Sequence, residues 1–373
     1  MAQKNAEAIV KELLSFAGIS INGEKPYDIQ VHNSDYYQRL LRDGSLGSGE
    51  SYMEGWWDCL ALDQFFARVI KAEVDRKFRG NWKLFLPVLK SRFFNLQKKR
   101  RAFQVGEKHY DIGNDLYREM LDKRLNYTCG YWKGQDNLDK AQEAKLELVC
   151  TKLNLQPGMH VLELGCGFGA FAGYAAEKYG VHVTGVTVSH KQVELAKELY
   201  ADLPVEINLQ DYRTVKGKFD RVISIGIMEH IGYKNYTTYM KVVARTLKED
   251  GIAFIHTIGG NRSRTSVEAW TDRYIFPNGM VPSIAQLGTA MEGRFIMEDW
   301  HNFGPDYDRT LMAWHHNFEK AWPKLATKYG DRFYRMWRYY LLSCAGCFRA
   351  RGMQLWQIVM SKPGQNQPDC RIT

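Results

Sequence analysis

From Pro157 onward, short apolar runs alternate with stretches in which apolar residues recur every three or four positions. The runs at 159–164, 181–187, 205–209, 219–225 and 251–257 have strand length. The stretches at 169–179, 189–200 and 235–248 have helical spacing. Strand and helix in alternation predict a parallel, doubly wound α/β sheet. Residues 260–310 break the alternation with an aromatic, glycine-punctuated insertion, helical patterning returns over 311–348, and a last strand is expected at 353–360. At the other end, Ile9, Val10, Leu13 and Leu14 predict a helix over 3–17 that Gly18 can close. Residues 21–66 read as short elements divided by glycines, so a smaller, mainly helical domain is expected over 1–96. The expected division is completed by a basic linker at 97–108 and a larger α/β domain at 109–373.

The first run of the alternating region ends in Val161-Leu-Glu-Leu-Gly-Cys-Gly-Phe-Gly169. Glycines at alternate positions let a chain turn sharply and approach a ligand without Cβ obstruction. A loop between strand and helix is where nucleotide-type ligands bind in open α/β sheets. The spacing is G-x-G-x-G, not the G-x-G-x-x-G of dinucleotide sites. The next strand also lacks the acid that would hold ribose hydroxyls; it closes on Thr187, Ser189 and Gln192 instead.

Charge changes the picture in one region. The net charge is +9, and residues 71–101 carry eleven Lys or Arg against Glu73 and Asp75. The rest of the chain is therefore balanced. Phe78, Trp82, Phe85, Phe93 and Phe94 are interleaved with that charge. Such a segment suits an anionic membrane surface, nucleic acid, or a solvated helix face and linker. No apolar run has transmembrane length. The N-terminus lacks the apolar core of a signal peptide, so a cytoplasmic protein is expected. Seven scattered cysteines suit reduced thiols. Cys344-Ala-Gly-Cys347 has no second pair to complete a zinc site and reads as a structural pair in a helical, aromatic stretch.

The glycine loop followed by T-x-S-x-x-Q resembles the S-adenosylmethionine (SAM) site of the cyclopropane-fatty-acid synthase family, which includes the mycolic acid cyclopropane synthases. Further resemblance runs through Ser51–Asp58, His109–Asn114, Tyr127–Trp132, Gln210–Arg213, Met228–His230, His256–Gly259, Tyr274–Gly279, Glu298–Phe303 and Phe348–Arg351. Phe168 departs from the tryptophan common in the family. The resemblance implies a Rossmann-like SAM-dependent methyltransferase fold. It also implies methylene transfer from SAM to a cis double bond of a phospholipid acyl chain. There the alkene attacks the sulfonium methyl, a base removes a proton from the new methyl group, and the ring closes. A hydrocarbon cation is stabilised by aromatic faces and must be shielded from water.

The family's base is a bound bicarbonate. Its implied holders are Glu229, His256, Tyr307 and backbone around Cys129 and Ile258, with Cys344 as a further implied catalytic residue. Glu229 and His256 fall at the close of the fourth and fifth expected strands, where two side chains can converge on one small anion. Tyr307 lies in Gly304–Asp308, expected as an exposed turn able to fold over the site. Implied SAM contacts are Tyr127, Thr128, Gly165, Cys166, Gly167, Gly169, Thr187, Ser189, Gln192, Gln210 and Asp211, with Glu163 ordering the loop. No metal is implied. The implied partners are unsaturated phospholipids at the inner face of the cell membrane and a second copy of the chain, not nucleic acid. Two rival readings are a SAM enzyme acting on a soluble molecule or RNA, and a binding protein on a vestigial nucleotide fold.

Overall fold

A computed structural model describes residues 2–74, 76–77 and 113–372. They form two compact units, each discontinuous in sequence. The first takes in residues up to Met120 together with Val267–Pro277 and Leu311–Gly352. The second takes in Leu121–Ser266, Asn278–Thr310 and Met353–Thr373. The expected division meets these residues only in part. The linker at 97–108 and most of the basic segment 71–101 lie outside the described residues, as does most of His109–Asn114.

The second unit is built on seven strands: β1 His160–Leu164, β2 His182–Thr187, β3 Val205–Leu209, β4 Phe219–Ile225, β5 Leu247–Gly260, β6 Ile296–Asn302 and β7 Met353–Ser361. Their order is β3-β2-β1-β4-β5-β7-β6. The pairings from β3 through β5 are parallel, and β7 runs antiparallel to both β5 and β6. The central strands are rich in apolar residues because helices cover both faces. One face is filled by Val149, Phe171, Val183 and Ile207, the other by Leu162, Val222, Tyr239 and Trp356. Two differences from the sequence reading stand out. β6 lies inside the insertion, where Ile296-Met-Glu-Asp-Trp-His-Asn302 has too few apolar positions to read as a strand. The helix Leu138–Lys152 was not legible because buried positions, among them Lys145 and Lys152, surround most of it.

The first unit is helical, with Ala2–Ser15, Asp35–Asp43, Ser45–Met53 and Leu62–Lys71 followed by Asn114–Met120 and Ala269–Tyr274. The helix Pro305–Arg349 begins in the second unit and supplies the first with its residues from Leu311; Gly330 (φ 72°) breaks its regularity. The aromatic richness of the chain is spent here in part on packing. Tyr52, Trp57, Trp270 and Tyr339 are buried and in ring contact. Arg338 donates to the Tyr52 hydroxyl at 2.5 Å. Among the described residues no helix is long and apolar enough to cross a membrane.

Candidate active site

β1 and β4 are sheet neighbours whose following connections run to opposite sides, which makes the crevice at their carboxyl ends the expected ligand position. The glycine loop fills that place. Gly165, Gly167 and Gly169 have φ of 73°, 54° and 80°, a region L-residues rarely adopt. They are not equivalent. A Cβ on Gly169 would come 3.0 Å from the Tyr200 ring and one on Gly165 would press on Ile227, whereas one on Gly167 would meet nothing within 4 Å. The space above Gly167 is open. Cys166, between them, is buried, and burial pushes its thiol up.

At the close of β2, Thr187, Ser189 and Gln192 form one local network. Thr187 Oγ1 donates to Gln192 Oε1 at 2.6 Å, and Ser189 Oγ caps the helix His190–Leu199 by accepting from Gln192 N. Two apolar side chains are exposed beside it, Val188 at 77% and Leu209 at 45%. An apolar residue left open at each of two adjacent strand ends offers a slot for a flat ring. Gln210 closes the edge through its N–H to Thr187 O at 2.9 Å, and its amide donates to Thr214. Asp211 is engaged by Arg213 at 2.5 Å, which holds its carboxyl below the ordinary range.

Glu163, at the end of β1, is fully buried. Its carboxyl is pushed up to about 8 by burial, against the pull of Lys145 and the Ala172 N–H. Lys145 is as deeply buried, and desolvation lowers it to about 8. Its ammonium donates to Asn126 Oδ1 at 2.7 Å and Thr128 Oγ1 at 3.1 Å, while Asp122 holds Asn126 at 2.8 Å. Sequence reasoning missed this network, because nothing in the sequence marks Lys145 as buried. It places Thr128, whose methyl lies where a Cβ on Gly226 at the end of β4 would come within 3.1 Å.

The remaining implied residues gather around β4, β5 and the start of the helix Pro305–Arg349. Glu229 sits in the short helix Met228–Ile231 after β4, and its Oε1 accepts the Ile258 N–H at 2.5 Å. Ile258 therefore spends its amide on Glu229. Burial pushes the Glu229 carboxyl up, and its Oε2 is buried without a hydrogen-bond partner among the described residues. His256 lies inside β5 instead of at its close, because pairing with β7 carries the strand on to Gly260. Burial holds its pKa well below the ordinary value, and its Nε2 is likewise without a partner. The Phe303 ring stands edge-on to it at 6.0 Å and also meets Tyr131 at 5.3 Å.

Tyr307 is not on an exposed turn. Gly304 packs against Gln354, and Pro305–Asp308 is the first turn of a long helix that buries Tyr307 to 9% exposure. One turn on, Thr310 Oγ1 accepts from Gly130 N at 3.1 Å and Trp132 Nε1 at 2.9 Å and donates to Asp306 O at 2.8 Å. This fastens the Tyr127–Trp132 segment. Cys129 is fully buried there, its thiol donating to Gly130 O and pushed well up by burial. It contributes backbone and packing, not a thiolate. Cys344 belongs to the first unit, and burial pushes its thiol up too. Tyr127 closes the set of implied residues, in the irregular segment leading to Thr128.

The arrangement joins a nucleotide-type loop to a buried acid just after β4 and a buried imidazole within the neighbouring β5. The family described as mycolic acid cyclopropane synthetase matches this chain over residues 97–358. The chain belongs to the cyclopropane synthase family. It is 52% identical over 358 residues to the cyclopropane-fatty-acyl-phospholipid synthase of Escherichia coli strain K12, an alignment covering 96% of this chain and 94% of that protein. The cyclopropane synthase MmaA2 from Mycobacterium tuberculosis superposes with a TM-score of 0.64 at 28% identity, covering 70% of this chain and 98% of the other. The mycolic acid cyclopropane synthase CmaA1, solved with SAH and CTAB, gives 0.63 at 30% identity, with coverage of 70% and 98%. This cyclopropane synthase is thus a SAM-dependent methyltransferase that acts on lipids.

Proposed function

We propose that the enzyme transfers a methylene group from SAM to the cis double bond of unsaturated acyl chains in membrane phospholipids, with bicarbonate as its general base. The observation that carries this reading is the pair of buried, unpartnered polar atoms, Glu229 Oε2 and His256 Nε2. Buried polar groups are almost always hydrogen-bonded. Two left open, one just after β4 and one within the neighbouring β5, fit a small polar ligand. Glu229, kept toward its protonated form by burial, and His256, kept neutral, offer one hydrogen-bonding group each. When bound, bicarbonate supplies a base that the surrounding side chains do not. Tyr307 and backbone around Cys129 complete its holders.

On this reading SAM takes the glycine loop, with Gly165, Cys166, Gly167 and Gly169 beneath it. Thr187, Ser189, Gln192, Gln210 and Asp211 border its nucleoside, Tyr127 and Thr128 its amino-acid end, and Glu163 orders the loop. Val188 and Leu209 supply the apolar slot for the adenine. Phe303, edge-on to His256 and in ring contact with Tyr131, supplies aromatic faces near the proposed base, where cation character develops. This chemistry does not call on a Cys344 thiolate, whose formation burial disfavours.

The working place we propose is the inner face of the cell membrane, for a cytoplasmic, peripherally bound homodimer. Residues 1–96 would engage lipid and 97–108 would link them to the catalytic residues 109–373. The basic segment 71–101 supports this through its charge.

The test uses vesicles of unsaturated phospholipid with labelled SAM, followed by mass spectrometry of the lipids. Added CH₂ at the double bond is expected. Removal of dissolved CO₂ should slow turnover and added bicarbonate should restore it. Full rate in carbonate-free buffer would mean that a side chain is the base, with Glu229 the first candidate.

A further inference from the structure

His256 Nδ1 lies 3.4 Å from Nε2 of Gln357. Sheet register sets the contact, since His256 on β5 stands directly across from Gln357 on β7. Neither side chain reaches water; their exposures are 1% and 0%. An amide nitrogen donates and cannot accept. The ring nitrogen facing it is then the bare one. Burial, with the charges of Lys145 and Lys152 added, keeps this imidazole neutral, and a neutral imidazole carries one proton. That proton sits on Nε2, the atom without a protein partner.

We infer that Gln357 is a positioning residue that fixes the Nε2–H tautomer of His256 and so keeps one donor facing the small anion of the site. The identity of that anion rests on the bicarbonate reading; the tautomer does not. The alternative tautomer would turn a lone pair toward an anionic oxygen and convert an attraction into a repulsion. Phe303, edge-on to the ring, limits its rotation. The register makes the device rigid, because both residues are placed by strands paired from Ile252 to Gly260.

The experiment is ¹⁵N NMR of the full-length enzyme with labelled histidine, the His256 signals being assigned by their loss in His256→Asn. Wild type should show the neutral Nε2–H form near neutral pH. Gln357→Glu, whose carboxylate can only accept, should move the proton to Nδ1. Gln357→Leu should raise the half-saturating bicarbonate concentration by about tenfold or more, the cost of one hydrogen bond to a charged group, with SAM affinity by calorimetry unchanged. An Nδ1–H form in wild type, as the reversed amide would give, overturns the inference even if no variant folds. So does a Gln357→Leu enzyme with wild-type tautomer and wild-type bicarbonate dependence. An Nε2–H wild type whose turnover ignores carbonate leaves Gln357 setting the tautomer and removes the bicarbonate reading instead.

Discussion

The Glu229 carboxylate is fastened to the backbone of the neighbouring strand, accepting the Ile258 N–H at 2.5 Å through Oε1 while Oε2 stays open. One oxygen is structural and the other is available for chemistry. Glu229→Gln keeps an oxygen for Ile258 but cannot exchange a proton, and Glu229→Ala removes both. Both variants should bind SAM normally. Both should lose ring formation by roughly 100-fold or more, the loss of a buried charged partner costing a few kcal/mol. His256→Ala should behave likewise. Of the two Glu229 variants, only Glu229→Ala should also melt earlier, because it strands the Ile258 amide. Calorimetry, product analysis and a thermal melt separate these effects. Normal ring formation by Glu229→Gln would remove the open oxygen from the mechanism.

The glycine loop makes a second, paired prediction. Gly167 and Gly169 both have positive φ, so either substitution to alanine carries about 1 kcal/mol of backbone strain. Gly169→Ala adds a clash with Tyr200 and should lower the melting temperature by several degrees. Gly167→Ala meets nothing within 4 Å and should fold well yet lose SAM affinity, with Gly167→Val losing more. Unchanged SAM affinity in both Gly167 variants would place the ligand elsewhere.

What the sequence disclosed and what it hid divide along physical lines. The strands β1 to β5 and β7 announce themselves because a sheet covered on both faces needs continuous apolar runs. The glycine loop is legible because positive φ demands glycine. β6 is not, since Glu298, Asp299 and His301 interrupt its apolar pattern. Tyr307 on its helix, the Lys145 network and Gln357 opposite His256 are tertiary facts. Lys145 reads as a surface residue until the helix carrying it is found buried, and no spacing links positions 256 and 357. The family resemblance names residues that spacing alone could not join.

Thr310 is one such tertiary link, and it gives a stability prediction. Its hydroxyl accepts two buried donors, Gly130 N–H and Trp132 Nε1–H. Thr310→Val keeps the shape and strands both, at a cost of about 1–3 kcal/mol for each. Denaturant melts should show that loss, and Thr310→Ser, which keeps the oxygen, should recover most of it. Equal stability of the valine and serine variants would show that the hydroxyl does not hold the Tyr127–Trp132 segment.

Glu163 ties stability to pH. Its folded pKa, about 8, lies above the ordinary 4.5 of an unburied glutamate. Between those values the folded state binds the extra proton, so stability falls as pH rises through the window. Below about 4.5 both states are protonated, and above about 8 the full penalty of burying the carboxylate is present. Lys145 runs the other way above pH 8. Its folded pKa of about 8 lies below 10.5, the unfolded state binds more protons there, and its penalty is relieved as pH climbs. Glu163→Gln removes the first effect. Without SAM present, the melting temperature of Glu163→Gln minus that of wild type should therefore grow from pH 5 to pH 8, within the window between 4.5 and about 8, and level off beyond it. A difference that is flat across that range would mean that Glu163 is ionised in the folded enzyme throughout, paired with the Lys145 ammonium.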